Sequence, residues 1–150
     1  MDRISKLTRS ENMRRIRGKD TKPELALRSA LHRLGLRFRL HRRDLPGSPD
    51  IVFPGKKVVI DVRGCFWHKH NCSAFRWPEQ NQEFWYDKIS STVIRDRRNE
   101  DRLAALGFRI AIVWECALRK KPNSEIDCIA NDCANWIKST TRKPHRRAGP

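Results

Sequence analysis

The eight residues Cys65-Phe66-Trp67-His68-Lys69-His70-Asn71-Cys72 place two thiols, two imidazoles and two adjacent aromatics in one short stretch, and a third thiol, Cys116, follows a distant apolar strand. No other feature restricts the fold as strongly, because a loop of this composition cannot satisfy and bury its own backbone unaided. The two cysteines, one of the two histidines and Cys116 supply four soft and borderline donors, the set of a closed tetrahedral zinc site. The spacing is not the paired CxxC and HxxxH of a zinc finger, and the chain lacks the HxE with PCxxC of a nucleobase deaminase. The residues therefore predict a structural Zn²⁺ that holds a loop in place, with His68 or His70 as its nitrogen ligand.

A loop held so firmly presents something, and the charge of the chain suggests to what. Lys and Arg number 33 against 17 acidic residues in 150, for a formal charge of +16. That is well beyond the roughly 2 to 8 charges that keep a small domain soluble, and it points to a polyanionic partner, nucleic acid first. The excess persists when the five basic residues from Lys138 onward are set aside. Five cysteines, with three in the metal constellation, do not make a disulfide framework and predict a reducing, cytoplasmic setting. Cys128 and Cys133 read as ordinary semi-buried thiols of a helix. No apolar run reaches membrane-spanning length and the N-terminus lacks the apolar core of a signal peptide, so no membrane partner is expected.

Length predicts one domain that buries roughly two thirds of its unfolded surface. Two capping boxes open the chain, Thr8 with Glu11 and Thr21 with Glu24, the second with Pro23 in its first turn. The first helix is short and basic and stops at Gly18. The second carries Leu27, Ala30, Leu31 and Leu34 on one face and ends at Gly35. Residues 36–40 alternate with period two, Ile51-Val52-Phe53 follows a proline-rich turn, and Val58–Val62 follows Pro54-Gly55, which predicts a three-stranded meander. Asn81 is placed to cap a helical region running to Gly107 with a break near Ser90-Ser91, and residues 108–114 form an interior strand. Ser124 is placed to cap a last helix, and the basic tail beyond it is expected to be disordered. The reading is an α/β fold with a mixed sheet flanked by helices, divided into a basic N-terminal helical arm over 1–19, a main domain over 20–138 and a tail over 139–150.

Within this pattern Asp50 heads the second strand and Asp61 interrupts the apolar third one, with Arg63 two residues on. The arrangement matches the PD…(D/E)xK pattern of restriction-type nucleases with Arg in the Lys position, in which hard carboxylate oxygens hold Mg²⁺ against the scissile phosphate. On spacing alone the pattern is weak, since a strand-end aspartate is usually a turn residue. It does not stand alone. Arg9-Ser10-x-Asn12-Met13, Asp20-Thr21-x-Pro23-Glu24, Leu45-Pro46-Gly47-x-Pro49-Asp50, Gly64-Cys65-Phe66-Trp67-His68, Phe84-Trp85, Arg95-Asp96 and Val113-Trp114-Glu115-Cys116-Ala117-Leu118 together resemble the very-short-patch-repair (Vsr) DNA mismatch endonucleases. The resemblance runs from about residue 8 to residue 119 with the blocks in the same order.

The resemblance implies the restriction-endonuclease-like fold and a Mg²⁺-dependent nick in duplex DNA, 5′ of the thymine of a T·G mismatch left by deamination of 5-methylcytosine. It implies a monomer acting in the cytoplasm at the nucleoid, with mismatch-repair proteins as further partners. It assigns zinc to Cys65, His70, Cys72 and Cys116, and Mg²⁺ to Asp50 helped by the Val62 carbonyl. It makes His68 an active-site acid or base, a role that suits an imidazole near neutral pH, with Glu24 reaching in to orient an imidazole or a water. Phe66, Trp67 and Trp85 resemble a wedge that enters the base stack beside the mismatch, where unstacking costs less. Met13, Arg9, Arg14 and Arg15 would contact DNA from the N-terminal arm, the arginines as a phosphate clamp.

The chain departs from the family at one place. Arg63 stands where the family often has a second catalytic histidine, and Asp61 where many members have an apolar residue. An arginine cannot act as a base near neutrality but can stabilise developing negative charge, and Asp61 restores the second acid of the wider nuclease pattern. Asp61 and Arg63 are therefore also expected in the catalytic set, Asp61 as a Mg²⁺ ligand. A nuclease of another lesion or site specificity, or a non-catalytic zinc-stapled DNA-binding module, is the competing reading.

Overall fold

The computed structural model describes residues 20–139 and the backbone of residues 145–148. Helix α1, Lys22–Arg33, starts at the capping residue Thr21, whose Oγ1 accepts the Glu24 N–H at 3.4 Å. It ends in a Schellman turn, in which the Gly35 N–H reaches the His32 carbonyl and the Leu36 N–H the Leu31 carbonyl. Gly35 has φ +85°, a conformation that a β-carbon would oppose. Leu27, Ala30 and Leu31 are buried as their spacing predicts, but Leu34 is exposed, because it is already the capping residue and has left the helical face.

Strands β1 (Arg39–Leu40), β2 (Ile51–Phe53) and β3 (Val58–Arg63) form the predicted antiparallel meander. β1 is shorter than the alternating run 36–40 suggests. Phe38 instead packs edge-on against Phe53, with ring centroids 5.7 Å apart. Helix α2, Gln82–Ala105, is continuous through Ser90-Ser91 rather than broken there, since Trp85, Ile89, Thr92 and Leu103 are buried along one face across that point. Asn81 precedes it in a left-handed conformation without the expected side-chain cap. β4 (Arg109–Trp114) is parallel to β3 and interior to the sheet. A single turn, α3 (Glu115–Leu118), follows. Helix α4, Asn123–Lys138, is preceded by Pro122 at the capping position rather than by Ser124. Proline in the turn before a helix fixes the entry that a serine cap would otherwise supply. No helix among the described residues is long and apolar enough to cross a membrane.

Period-two alternation sends the strand side chains to two cores. Ile51, Phe53, Val58, Ile60, Ala111 and Val113 meet α1 and α4 on one face, while Val52, Val59, Ile110, Ile112 and Trp114 meet Leu103 of α2 on the other. The sheet is thus a mixed layer between helices, as expected. The tail differs from its composition. His145–Ala148 forms a fifth strand, β5, parallel to β4, where the basic sequence predicts disorder. The outer edge of β4 carries unpaired backbone donors and acceptors that any extended segment can satisfy.

Candidate active site and cysteine–histidine cluster

The antiparallel pair Ile51–Ile60 carries Asp50 and Asp61 to the same end of β2 and β3. There the Asp50 N–H donates to Asp61 Oδ1 (3.2 Å) and the Val62 N–H donates to Asp50 Oδ2 (2.9 Å). Both carboxylates line a cavity of about 670 Å³ with His41, Val62, Arg63, His68, Asp96 and others. Burial, reinforced by the Asp61 carboxylate, pushes Asp50 up to about 8. Burial raises Asp61 as well, against the pull of Arg63. Two acids sharing a desolvated pocket resist ionisation together, and a cation placed between them relieves both costs.

Helix α2 braces the far wall. Arg63 is buried and donates to Glu100 Oε1 at 3.0 Å, with Asp61 Oδ2 at 3.6 Å on its other side. His68 Nδ1 lies 2.5 Å from Asp96 Oδ2. A carboxylate on one ring nitrogen fixes the orientation of the imidazole. Asp96 and Glu100 are one helical turn apart, so a single face of α2 holds both the histidine and the arginine. The loop before Asp50 closes against this helix, where a β-carbon on Gly47 (φ +76°) would meet Asn99 at 3.0 Å. Sequence reading gives Asp96 no role and passes over Glu100 and Asn99. An i, i+4 pair of acids in a helix this rich in charge is ordinary, so the sequence held no distinct signal for them.

Glu24 is buried but does not itself line the cavity. Its Oε2 accepts the Asp20 N–H at 2.9 Å, one residue earlier than a regular capping box. Its Oε1 lies 3.1 Å from His41 Nε2, so the imidazole that Glu24 touches is His41, which sequence reading missed, and not His68. His41 Nδ1 in turn lies 3.7 Å from Asp50 Oδ1. Arg28 holds the Asp20 carboxyl below the usual carboxylate range, with His41 adding to the effect.

The second cluster lies past the end of β3. The parallel register pairs Arg63 with Trp114, and two residues beyond each stand Cys65 and Cys116. With His70 and Cys72 they offer four ligand atoms within 4.8 Å of one another. The His70 ring stacks on Trp114 at 4.1 Å and 11°, with Nδ1 3.5 Å from Cys116 Sγ. Turns close the loop, with His70 N–H to Cys65 O and Cys72 N–H to His70 O, both 2.9 Å. Burial pushes the Cys65 thiol up to about 12 and raises Cys116. His68 points its chemistry to the cavity instead, so geometry gathers His70 rather than His68 with the cysteines.

Phe66 and Trp67 are half-buried and meet at 5.2 Å, with Trp85 buried behind them at 5.4 and 5.8 Å. They border a groove of about 660 Å³ that shares Val62 and His68 with the carboxylate cavity. Met13, Arg9, Arg14 and Arg15 lie outside the described residues.

Comparison with known proteins agrees. The family model for the DNA mismatch endonuclease Vsr matches residues 1–74. The type II nicking enzyme V.XorIIP of Xanthomonas oryzae pv. oryzae is 50% identical over 117 residues, 78% of this chain and 86% of the relative. The DNA mismatch endonuclease Vsr of Escherichia coli is 46% identical over 132 residues, 88% and 85% of the two chains. The type II nicking enzyme V.NmeAIP of Neisseria meningitidis is 41% identical over 113 residues, 75% and 81%. The second of these alignments is long enough that it must contain both clusters, and similarity of that extent means that the chain belongs to the Vsr family of DNA mismatch endonucleases.

Proposed function

We propose that this member of the family, a DNA-nicking endonuclease with a restriction-endonuclease-like fold, cuts one strand of a duplex 5′ of the thymine in a T·G mismatch. One observation carries the reading. Two adjacent acids, a carboxylate-bound imidazole and a braced guanidinium converge on one cavity, whose edge is continuous with a groove bordered by half-exposed aromatics.

The cavity fits a hard divalent cation, because Asp50 and Asp61 are oxygen donors that repel each other when ionised and gain from a shared positive charge. Mg²⁺ would be held by these two carboxylates and the Val62 carbonyl, and when bound would neutralise and polarise the scissile phosphate. The remaining steps belong to the side chains. His68, oriented by Asp96, exchanges a proton with the reacting oxygen, within reach of neutral pH chemistry for an imidazole. Arg63, braced by Glu100 and Asp61, offers its guanidinium to the phosphate as negative charge develops. Glu24 acts at one remove, through His41.

The cysteine–histidine cluster fits a structural zinc on donor chemistry, with three thiols and one imidazole already gathered and no acid among them. It fixes the loop that displays Phe66 and Trp67, which we assign to stacking at the mismatch. Trp85 supports them from below. The basic arm with Arg9, Arg14 and Arg15 and Met13 would close on the other side of the duplex.

The test is a nicking assay on labelled duplexes carrying T·G, each other mismatch, or matched DNA, with Mg²⁺ or with chelator. Nicking confined to T·G and dependent on Mg²⁺ is expected. Equal nicking of another mismatch or of matched DNA rejects the assigned specificity, and no nicking with any divalent ion rejects the catalytic reading.

A further inference from the structure

We propose that His41 is a positioning residue of this site, bridging Glu24 on α1 to Asp50 at the head of β2 so that the Asp50 carboxylate is held toward the cavity. The inference rests on the reading of the cavity as a divalent-ion nicking site. It comes from contacts that no other cavity residue makes. His41 Nε2 faces Glu24 Oε1 at 3.1 Å and Asp20 Oδ1 at 3.3 Å, while Nδ1 faces Asp50 Oδ1 at 3.7 Å. The His41 backbone N–H also donates to the Asp50 carbonyl at 3.1 Å. One residue thus engages Asp50 through both main chain and ring.

The two oxygens of Asp50 are placed by different groups. The Val62 N–H fixes Oδ2, which leaves Oδ1 to be oriented by whatever stands on the α1 side, and that is His41. The two other cationic or imidazole side chains next to the carboxylates face other partners: Arg63 faces Glu100 and Asp61, and His68 faces Asp96. His41 also adopts a left-handed backbone conformation (φ +49°). Residues with a β-carbon visit that region uncommonly, histidine more readily than most, and the conformation sets the direction in which the His41 ring leaves the backbone. Asp20, Glu24 and His41 could instead be taken for a second cation site. Arg28, 2.8 Å from Asp20 and 3.5 Å from Glu24, already supplies their positive counter-charge. The trio is therefore a support for Asp50. Partners one step removed from a ligand fix its direction, and losing one typically costs 10- to 100-fold in ion affinity or activity, by about as much as is expected here.

Full-length protein should be compared with His41→Ala, His41→Gln and His41→Asn. A glutamine amide can reproduce the Nε2 contact to Glu24, and an asparagine amide the Nδ1 contact to Asp50. Asparagine also tolerates the left-handed backbone, so one variant keeps the fold if alanine does not. Three quantities are measured: single-turnover nicking of a T·G duplex with Mg²⁺, affinity for the same duplex with chelator, and calorimetric Mn²⁺ affinity of the DNA-free protein. In His41→Ala nicking should fall about 10- to 100-fold and Mn²⁺ affinity about tenfold, with duplex affinity unchanged and each amide variant intermediate. Unchanged nicking and Mn²⁺ affinity in folded variants overturns the proposal. So does a loss of nicking that only follows a loss of duplex affinity or thermal stability. Wild-type protein that binds Mn²⁺ without nicking T·G rejects the assigned substrate, and the Mn²⁺ comparison still decides His41. Wild-type protein that binds no Mn²⁺ overturns both.

Discussion

Asp61 and Cys65 are four residues apart, yet the clusters they anchor are built in contrasting ways. The cysteine–histidine cluster uses soft donors, is closed around its four ligand atoms and is sealed by Trp114 stacked on His70. The carboxylate cluster uses hard donors, stands in a cavity of about 670 Å³ and keeps its acids protonated more tightly than water would. A closed, saturated donor set can only hold structure, whereas an open one with frustrated charges can accept a substrate. The difference predicts that damage to the first cluster reads out as stability and damage to the second as rate.

The largest effect should come from the closed cluster. Cys116→Ala removes one of four donors and the link between the loop and β4, and should cost more than about 4 kcal/mol of stability together with bound zinc. Elemental analysis and denaturant melts check this, and a variant that keeps its zinc and its midpoint would erase the contrast. Next, Asp50→Ala should lower nicking by about 10³-fold or more, the scale of losing a charge-stabilising group at the reacting phosphate, without loss of fold. Single-turnover assays beside thermal melts decide it.

Smaller effects sharpen the boundary between the two regions. Phe66→Ala and Trp67→Ala should each weaken discrimination of T·G from matched duplex by about 1 to 3 kcal/mol, the value of stacking one base on an aromatic ring. Competition binding on the two duplexes tests this, and equal losses on both would make the rings mere packing. Asp50→Asn gives the smallest change and the most diagnostic sign. The folded value of Asp50 lies near 8, above its ordinary 3.8, so the folded chain holds that proton more tightly between the two. Its favourable contribution is complete below about pH 4 and is lost as the pH rises toward 8. Without divalent ions, Asp50→Asn should therefore melt a few degrees above wild type at pH 8 and level with it near pH 4, by about 2 to 6 °C at the upper end. A variant that melts lower at pH 8 would show that Asp50 is not a desolvated acid.

Much of this was legible in the sequence, for identifiable reasons. Continuous apolar runs bounded by turn residues located β2, β3 and β4, because their residues pack on both faces of the sheet, whereas the alternating run 36–40 yielded only the two-residue β1. Cys65, Cys72 and Cys116 stood out because a metal cluster needs residue types that are rare elsewhere. Asp50 and Asp61 were visible as charges in apolar surroundings. Other parts were hidden. His41 sits in an irregular, left-handed link between short strands, where no periodicity predicts which way a ring turns. Asp96 and Glu100 look like ordinary members of a charged helix, and only the tertiary approach of α2 to β3 shows that they hold His68 and Arg63. The absence of a break at Ser90-Ser91 had the same origin, since burial of Ile89 and Thr92 outweighs the weak helix preference of two serines.

The parallel register of β3 and β4 also sets an order of events. Three donors, Cys65, His70 and Cys72, lie together at the start of the connection between the strands, and the fourth arrives only when residues 64–108 have folded back and Trp114 has come level with Arg63. Long-range parallel pairing is the slow part of folding such a sheet. A zinc ion bound as proposed would meet three ligands and an exchangeable position in the incomplete chain, and four ligands in the finished one. The cluster would then act as a latch, tightening its hold on the ion only after β4 has paired with β3, the strand that carries Asp61.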